Sequence, residues 1–340
     1  MKKLLLILTF VALISCGSNN HITSQTVNSN IVTGETARLF ANTITTLDLK
    51  EHLYIIASRD FEGRETGEPG QKKAAEYLKN FYIEHGIVSP YGGSDYFQTI
   101  PTEHLRPELN PSENVVAFIE GSEKPDEIVV ISAHYDHLSM NGEEIYYGAD
   151  DDGSGTVAIL EIAEAFQKAV EAGNGPKRSI LFLHVTGEEK GLLGSKYYTN
   201  FPIFPLENTV TDLNIDMIGR VDDAHTNNPN FVYLIGSDKL STELHKLSEE
   251  INAHFTQLDL DYTYNDENDP NRFYYRSDHY NFAKNNIPII FYFNGTHEDY
   301  HRTSDTPDKI NYEVLAKRTQ LVFYTAWEVA NREHKIVVDK

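Results

Sequence analysis

Six short apolar runs separated by amphipathic stretches set the rhythm of this chain. The runs are "NVVAFIEG" (Asn114 to Gly121), "EIVVISAHYDH" (Glu127 to His137), "RSILFLHVT" (Arg178 to Thr186), "VTDLNIDMIG" (Val210 to Gly219), "FVYLIGS" (Phe231 to Ser237) and "IPIIFYFNG" (Ile287 to Gly295). They are rich in β-branched residues, lack the polar alternation of a half-exposed strand and predict buried strands. Between them lie helical patterns. "GQKKAAEYLKNFYIEHG" (Gly70 to Gly86) is amphipathic and ends on glycine. "TVAILEIAEAFQKAV" (Thr156 to Val170), "STELHKLSEEINAHF" behind Ser241, and "NYEVLAKRTQLVFYTAWEVANRE" near the end of the chain read as further helices. Ser241 suits an N-cap, although Leu244 stands where a capping box prefers Glu. Leu39, Ile44, Leu47 and Leu53 give helical spacing to one more stretch, "ARLFANTITTLDLKEHLYIIAS". Buried strands alternating with helices predict an α/β domain of three αβα layers with a mostly parallel, mixed sheet.

In sheets of this kind ligands gather beyond the carboxyl ends of the strands. The residues just past each predicted strand therefore matter most. They are "HYDH", then "TGEEKG", then Asp216, then "NGTHEDYHRTSD". A fifth stretch, "YYGADDDGSGT", places Asp150, Asp151 and Asp152 at the turn into the helix at Thr156. Three adjacent carboxylates repel one another unless a cation neutralises them, and the flanking glycines let that turn approach closely. Asp216 sits between Ile215 and Met217, where an unpaired buried acid would be costly. Imidazole and carboxylate donors without thiolate suit zinc, with cobalt or manganese as possible substitutes. Two imidazoles and three carboxylates are too many for one tetrahedral ion. They suit two ions that share a bridging carboxylate, an arrangement that activates water and polarises a carbonyl.

Charge and the first residues refine this picture. The formal net charge is −22 over 340 residues, which argues against nucleic acid as a partner, since that needs a basic footprint. Lys2 and Lys3 precede an apolar run from Leu4 to Ile14, too short for a usual membrane span. Ser15, Cys16 and Gly17 follow, and "LISC" resembles the lipobox of bacterial lipoproteins. Cys16 is the only cysteine, so no intrachain disulfide forms. The expected organisation is a signal peptide over 1–15, a lipid-anchored flexible tether over 16–36 rich in Ser, Asn and Thr, and one domain over 37–340. The implied location is exported, held to a membrane through lipidated Cys16 on the periplasmic or outer-membrane side. The span between Gly86 and Asn114 is too short for an inserted lid domain. The acidic, tyrosine-rich stretch from Asp259 to Tyr275 reads as a solvated surface loop, the alternative being that its last part lies over the pocket with aromatics receiving a side chain.

The strings "SAHYDH", "GADDDGSGT", "TGEEKGLLGS", "NIDMIGR", "SDHYNF" and "GTHEDYHRTSDTPDKI" resemble, in order, those of the co-catalytic zinc aminopeptidases of metallopeptidase family twenty-eight. "FEGRETGEPGQKKAAEYL" extends the likeness upstream. The resemblance implies the zinc-exopeptidase, phosphorylase/hydrolase-like fold and two Zn²⁺ ions acting on a peptide substrate. It implies His134, Asp151, Glu189, Asp216 and His301 as metal ligands, with Asp151 bridging. Glu188 takes the place of the general base, Tyr300 that of a hydrogen-bond donor to the oxyanion, and Asp136 that of the acid that orients the His134 imidazole. Asp150 stands where the family often has Asn. His297 competes with His301 in the same loop. A glutaminyl cyclase or another amide hydrolase would share this fold, and a surface binding lipoprotein with a dead site is the alternative outside enzymes. Retention of Glu188 speaks against the last, since a pure binder needs no base.

Overall fold

A computed structural model of the chain describes residues 34–340, and these fall within one compact unit. The signal peptide, Cys16 and all but the last three residues of the expected tether lie outside the described residues. Gly34, Glu35 and Thr36, counted with that tether above, open the first helix instead.

The main sheet has eight strands: β1 (Phe97–Ile100), β2 (Ser112–Ile119), β3 (Lys124–His134), β6 (Arg178–Val185), β7 (Thr209–Ile215), β8 (Phe231–Ile235), β9 (Asp259–Asp261) and β10 (Ile289–Phe293). Two short strands, β4 (Met140–Asn141) and β5 (Glu144–Ile145), form a separate hairpin. The order across the sheet is β1-β2-β6-β3-β7-β10-β8-β9. The four central strands, β6, β3, β7 and β10, are mutually parallel. Antiparallel pairs flank them, β2 with β6 on one side and β8 with β10 on the other. The sheet is thus mixed with a parallel centre, as the buried apolar runs require.

Alternation along β3 and β6 sends side chains to two cores. On β3, Val129, Ile131 and Ala133 join the larger cluster, while Ile128 and Val130 join the smaller one. On β6, Ile180 and Phe182 go one way and Leu181, Leu183 and Val185 the other. The larger core packs against helices α1 (Gly34–Ala41), α2 (Thr46–Ile56), α3 (Pro69–Glu84), α4 (Gly155–Glu171), α6 (Thr242–Phe255) and α8 (Tyr312–Asn331), which contribute Phe40, Leu53, Leu78, Phe166, Leu244 and Trp327. The smaller core is closed by Tyr198 of α5 (Leu193–Asn200) and Phe282 of α7 (His279–Ala283). Helices on both faces complete the three layers.

Local details differ from the sequence reading, among them Asp259–Asp261, which that reading puts in a surface loop and which pairs as β9 beside β8. The first helical stretch is broken into α1 and α2, because the Thr45 hydroxyl accepts the Asp48 N–H and caps a new helix. The edge strand β1 and helix α5 carried too few periodic residues to register. Ser241 does cap α6, accepting the Leu244 N–H at 3.1 Å.

Candidate metal centre

Because β6, β3, β7 and β10 run parallel side by side, their carboxyl ends open onto one rim. His134 is the last residue of β3, Asp216 follows the last residue of β7, and Glu188 and Glu189 lie just past β6. His301 is on the loop after β10, and Asp151 is on the loop that leads into α4. All of these side chains converge around Asp151.

The two oxygens of Asp151 face opposite ways. Oδ1 lies 3.2 Å from His134 Nε2, which is itself 3.6 Å from Asp216 Oδ1. Oδ2 lies 3.0 Å from His301 Nε2, which is 3.4 Å from Glu189 Oε2. A tetrahedral zinc with bonds near 2.0–2.2 Å separates neighbouring donors by about 3.3 Å, close to these spacings. His134 Nε2, Asp151 Oδ2 and Glu189 Oε1 are buried and have no hydrogen-bond partner. Orphaned buried polar atoms are costly, and three around one carboxylate fit a pair of divalent cations. One set is His134, Asp151 and Asp216; the other is Asp151, Glu189 and His301.

The loops are held by contacts behind these candidate ligands. His134 Nδ1–H donates to the backbone carbonyl of Asp136 at 3.1 Å, leaving Nε2 as the bare nitrogen turned toward Asp151. The Asp136 carboxylate is 3.8 Å from the ring, so the main chain rather than the side chain makes this bond. That corrects the expected role of Asp136. Its carboxylate instead accepts the Thr66 hydroxyl at 2.7 Å and the Glu188 N–H at 3.1 Å. Asp305 accepts the N–H groups of Asp150 and Asp151 at 3.0 and 3.2 Å. The buried Arg64 guanidinium donates to four carbonyls, those of Ile56, Tyr135, Tyr147 and Gly148, beneath the same loop.

The rest of the aspartate triplet turns away from the centre. Asp150 accepts the Gly219 N–H at 2.7 Å, Asn294 Nδ2 at 3.0 Å and His297 Nε2 at 3.1 Å. His297 is therefore engaged by Asp150, and His301 is the imidazole of that loop nearest Asp151. Asp152 accepts the N–H groups of Gly155 and Met217 at 2.8 and 3.0 Å, tying the start of α4 to the Asp216 turn. His301 and Met217 have φ of +57° and +60°, a left-handed backbone that costs roughly 1–2 kcal/mol per non-glycine residue and concentrates at functional sites.

Beside the two ligand sets lies a pocket lined by Glu188, Met217, Phe273, Arg276, Phe291, Phe293 and Tyr300. Burial, reinforced by the nearby carboxylates of Glu189 and Asp216, pushes Glu188 well above the usual carboxylate range, against the opposing pull of His134. Asp151 behaves oppositely. Burial opposes its ionisation, but hydrogen bonds with His134 and His301 hold it well below that range. Burial and the charges of Asp151 and Asp216 raise the Tyr300 hydroxyl, which keeps its proton as a donor. The Tyr300 ring stacks on His301 with centroids 3.9 Å apart. Asp278, in the "SDHYNF" string, accepts from the Ser195 hydroxyl and braces α5.

Residues not singled out from the sequence also meet here. Arg64 carries no local signal, because its partners are main-chain atoms. His137 was visible in "HYDH", and its buried ring reaches to within 3.0 Å of Glu189.

Comparison with known proteins identifies the family and the fold. A family model described as Peptidase family M28 matches residues 114–326. Leupeptin-inactivating enzyme 1 of Streptomyces exfoliatus is 26% identical over 304 residues, covering 82% of this chain and 61% of that protein. The chain spans less than two thirds of the length of the curated relatives it matches. Among solved structures, the LapA aminopeptidase of Legionella pneumophila superposes with a TM-score of 0.70 at 23% identity, covering 89% of this chain and 77% of that one. A Porphyromonas gingivalis glutaminyl cyclase superposes with a TM-score of 0.64 at 19% identity, covering 84% and 98%. At these identities the structural likenesses establish the fold alone.

Proposed function

The chain belongs to peptidase family M28, and from that membership and the geometry of the centre we propose a metal-dependent aminopeptidase that uses two zinc ions. The observation that carries this reading is the Asp151 carboxylate, shared between two ligand sets with Glu188 beside them. Relatives and fold neighbours named as a zinc metalloprotease and a zinc aminopeptidase support the choice of metal. Cobalt or manganese would suit the same donors. Bound there, two such ions would supply Lewis-acid polarisation of the scissile carbonyl and make water a better nucleophile at neutral pH.

The protein's own groups do the rest. The acidic rim attracts the free amine of the substrate. Met217, Phe273, Phe291 and Phe293 form an apolar recess for its first side chain. Glu188, raised above the usual carboxylate range by burial, accepts the proton of the attacking water and returns it to the leaving amine. Tyr300 donates a hydrogen bond toward the developing oxyanion. A glutaminyl cyclase of the same fold is the second reading, favoured by the structural neighbour of that name. A second complete ligand set weighs against it.

The deciding experiment combines zinc content with hydrolysis of aminoacyl chromogenic amides and their N-blocked controls. Two zinc ions per chain and cleavage of free-amine substrates alone support the proposal. Glu188→Gln is expected to keep the metal and lower turnover by about 10²–10⁴-fold. Unchanged turnover in a folded, loaded variant removes Glu188 from its role. Attachment to a membrane through Cys16 is proposed on the leader sequence alone. Among the described residues no helix is long and apolar enough to cross a membrane. Release of the protein by Cys16→Ser, with loss of incorporated labelled fatty acid, would support the anchor.

A further inference from the structure

His137 is fully buried, at 0% exposure, and neither of its ring nitrogens has a hydrogen-bond partner. A buried imidazole normally satisfies at least one nitrogen, so this ring needs an explanation. Its Nδ1 lies 3.0 Å from Glu189 Oε1 and 3.9 Å from Asp151 Oδ2. Those are the two carboxylates that also flank His301 Nε2, at 3.4 and 3.0 Å. The rings of His137 and His301 meet nearly edge to face, with centroids 6.0 Å apart. Donor atoms of His137, Asp151 and Glu189 all lie within 4.8 Å of one another.

The ring is fixed in that position. The His137 N–H donates to the Arg64 carbonyl at 3.1 Å, and Arg64 in turn grips the carbonyl of Gly148. Gly148 presses against the imidazole. A Cβ at that position would stand 2.5 Å from His137 Cγ. The side chain has no room to swing toward another partner.

We infer that His137 is a further ligand, through Nδ1, of the metal position formed by Asp151, Glu189 and His301. This rests on the reading of the centre as a two-metal site. The four donors then describe a closed set of two imidazoles and two carboxylates. The spacings quoted above, from 3.0 to 3.9 Å, are taken to Oε1 of Glu189 for His137 and to its Oε2 for His301, and they bracket the roughly 3.3 Å edge of a tetrahedral zinc site. The other position, with His134, Asp151 and Asp216, has three protein donors and keeps an open place. The two positions are thus unequal. The closed one holds its ion more firmly, and the open one exchanges first.

X-ray absorption at the zinc edge of the fully loaded wild-type protein tests this without any substitution. Three imidazoles shared by two ions give an average of 1.5 per zinc, whereas His134 and His301 alone give 1.0. Zinc titration against a chromophoric chelator adds a second readout. His137→Phe, which keeps the ring volume, is expected to weaken one of two binding classes at least tenfold and leave the other unchanged. Should His137→Phe not fold, His137→Gln is titrated in its place, and the wild-type absorption count stands in either case. An average of one imidazole per zinc, or binding classes unchanged by the substitution in a folded protein, overturns the inference. A wild-type protein that binds no zinc at all would instead overturn the metallopeptidase reading itself.

Discussion

The carboxylate of Asp136 accepts the backbone N–H of Glu188 at 3.1 Å, joining the end of β3 to the loop after β6. The same carboxylate holds Thr66, while the His134 ring is oriented by the main chain of Asp136. The side chain therefore serves the proposed base more than the ligand. Asp136→Ala should lower kcat by about 10–100-fold, the usual cost of losing a supporting contact at a metal centre, with zinc content retained. Parallel loss of zinc and activity would return Asp136 to the role of holding His134.

Gly148 has φ of +54°, and a Cβ there would fall 2.3 Å from the Asp151 carbonyl oxygen. Gly148→Ala should destabilise the fold by about 1–3 kcal/mol and impair metal binding, because both Asp151 and His137 must shift. Gly173 has φ of +73° with open space around it. Gly173→Ala is thus the control for backbone strain alone. Thermal melts and zinc content of the two variants should differ clearly; equal effects would mean that the close contact at Gly148 is harmless.

His184 and His279 are fully buried away from the metal ligands, and burial depresses each from about 6.5 to about 3. A depressed histidine costs the fold nothing where it is neutral in both states, that is above its unfolded pKa. Below about pH 6 the unfolded chain takes up a proton that the folded one refuses. Each group then removes about 1.4 kcal/mol of stability per pH unit until the pH reaches about 3. Denaturant unfolding between pH 7 and pH 4 should show this slope, and His184→Gln should flatten it. An unchanged slope in that variant would exclude His184 as a source.

The recess lined by Met217, Phe273, Phe291 and Phe293 has aromatic walls and an arginine, Arg276, whose Nη2 donates to the Tyr300 hydroxyl at 3.4 Å. Amides of leucine or phenylalanine should exceed the glycine amide in kcat/KM by at least roughly 10²-fold, since a single methylene in such a pocket already gains about 10–200-fold. Equal values for all three would show that the first side chain lies elsewhere.

The central strands were legible because each is a continuous β-branched run buried on both faces. Their carboxyl-end residues were legible for the same reason: a polar His, Glu or Asp directly after such a run is conspicuous. β1 pairs along one edge over four residues and gives no such signal. The division of labour inside "DDD" was only partly readable. Asp151 was assigned through the family resemblance, but the partners of Asp150, namely Gly219, Asn294 and His297, come from distant loops. Spacing could suggest that Asp136 orients His134, but not which of its oxygens does so. His137 went unassigned because its surroundings are made by Arg64 and Gly148, neither of which announces a ligand.

The donors around Asp151 come from four adjacent strand ends and one helix entrance, scattered from His134 to His301 along the chain. His301 joins only after β10 has docked beside β7. A cation seated at that rim therefore certifies a finished tertiary assembly, and an unfolded chain in transit would carry its donors loose and the ion unclaimed.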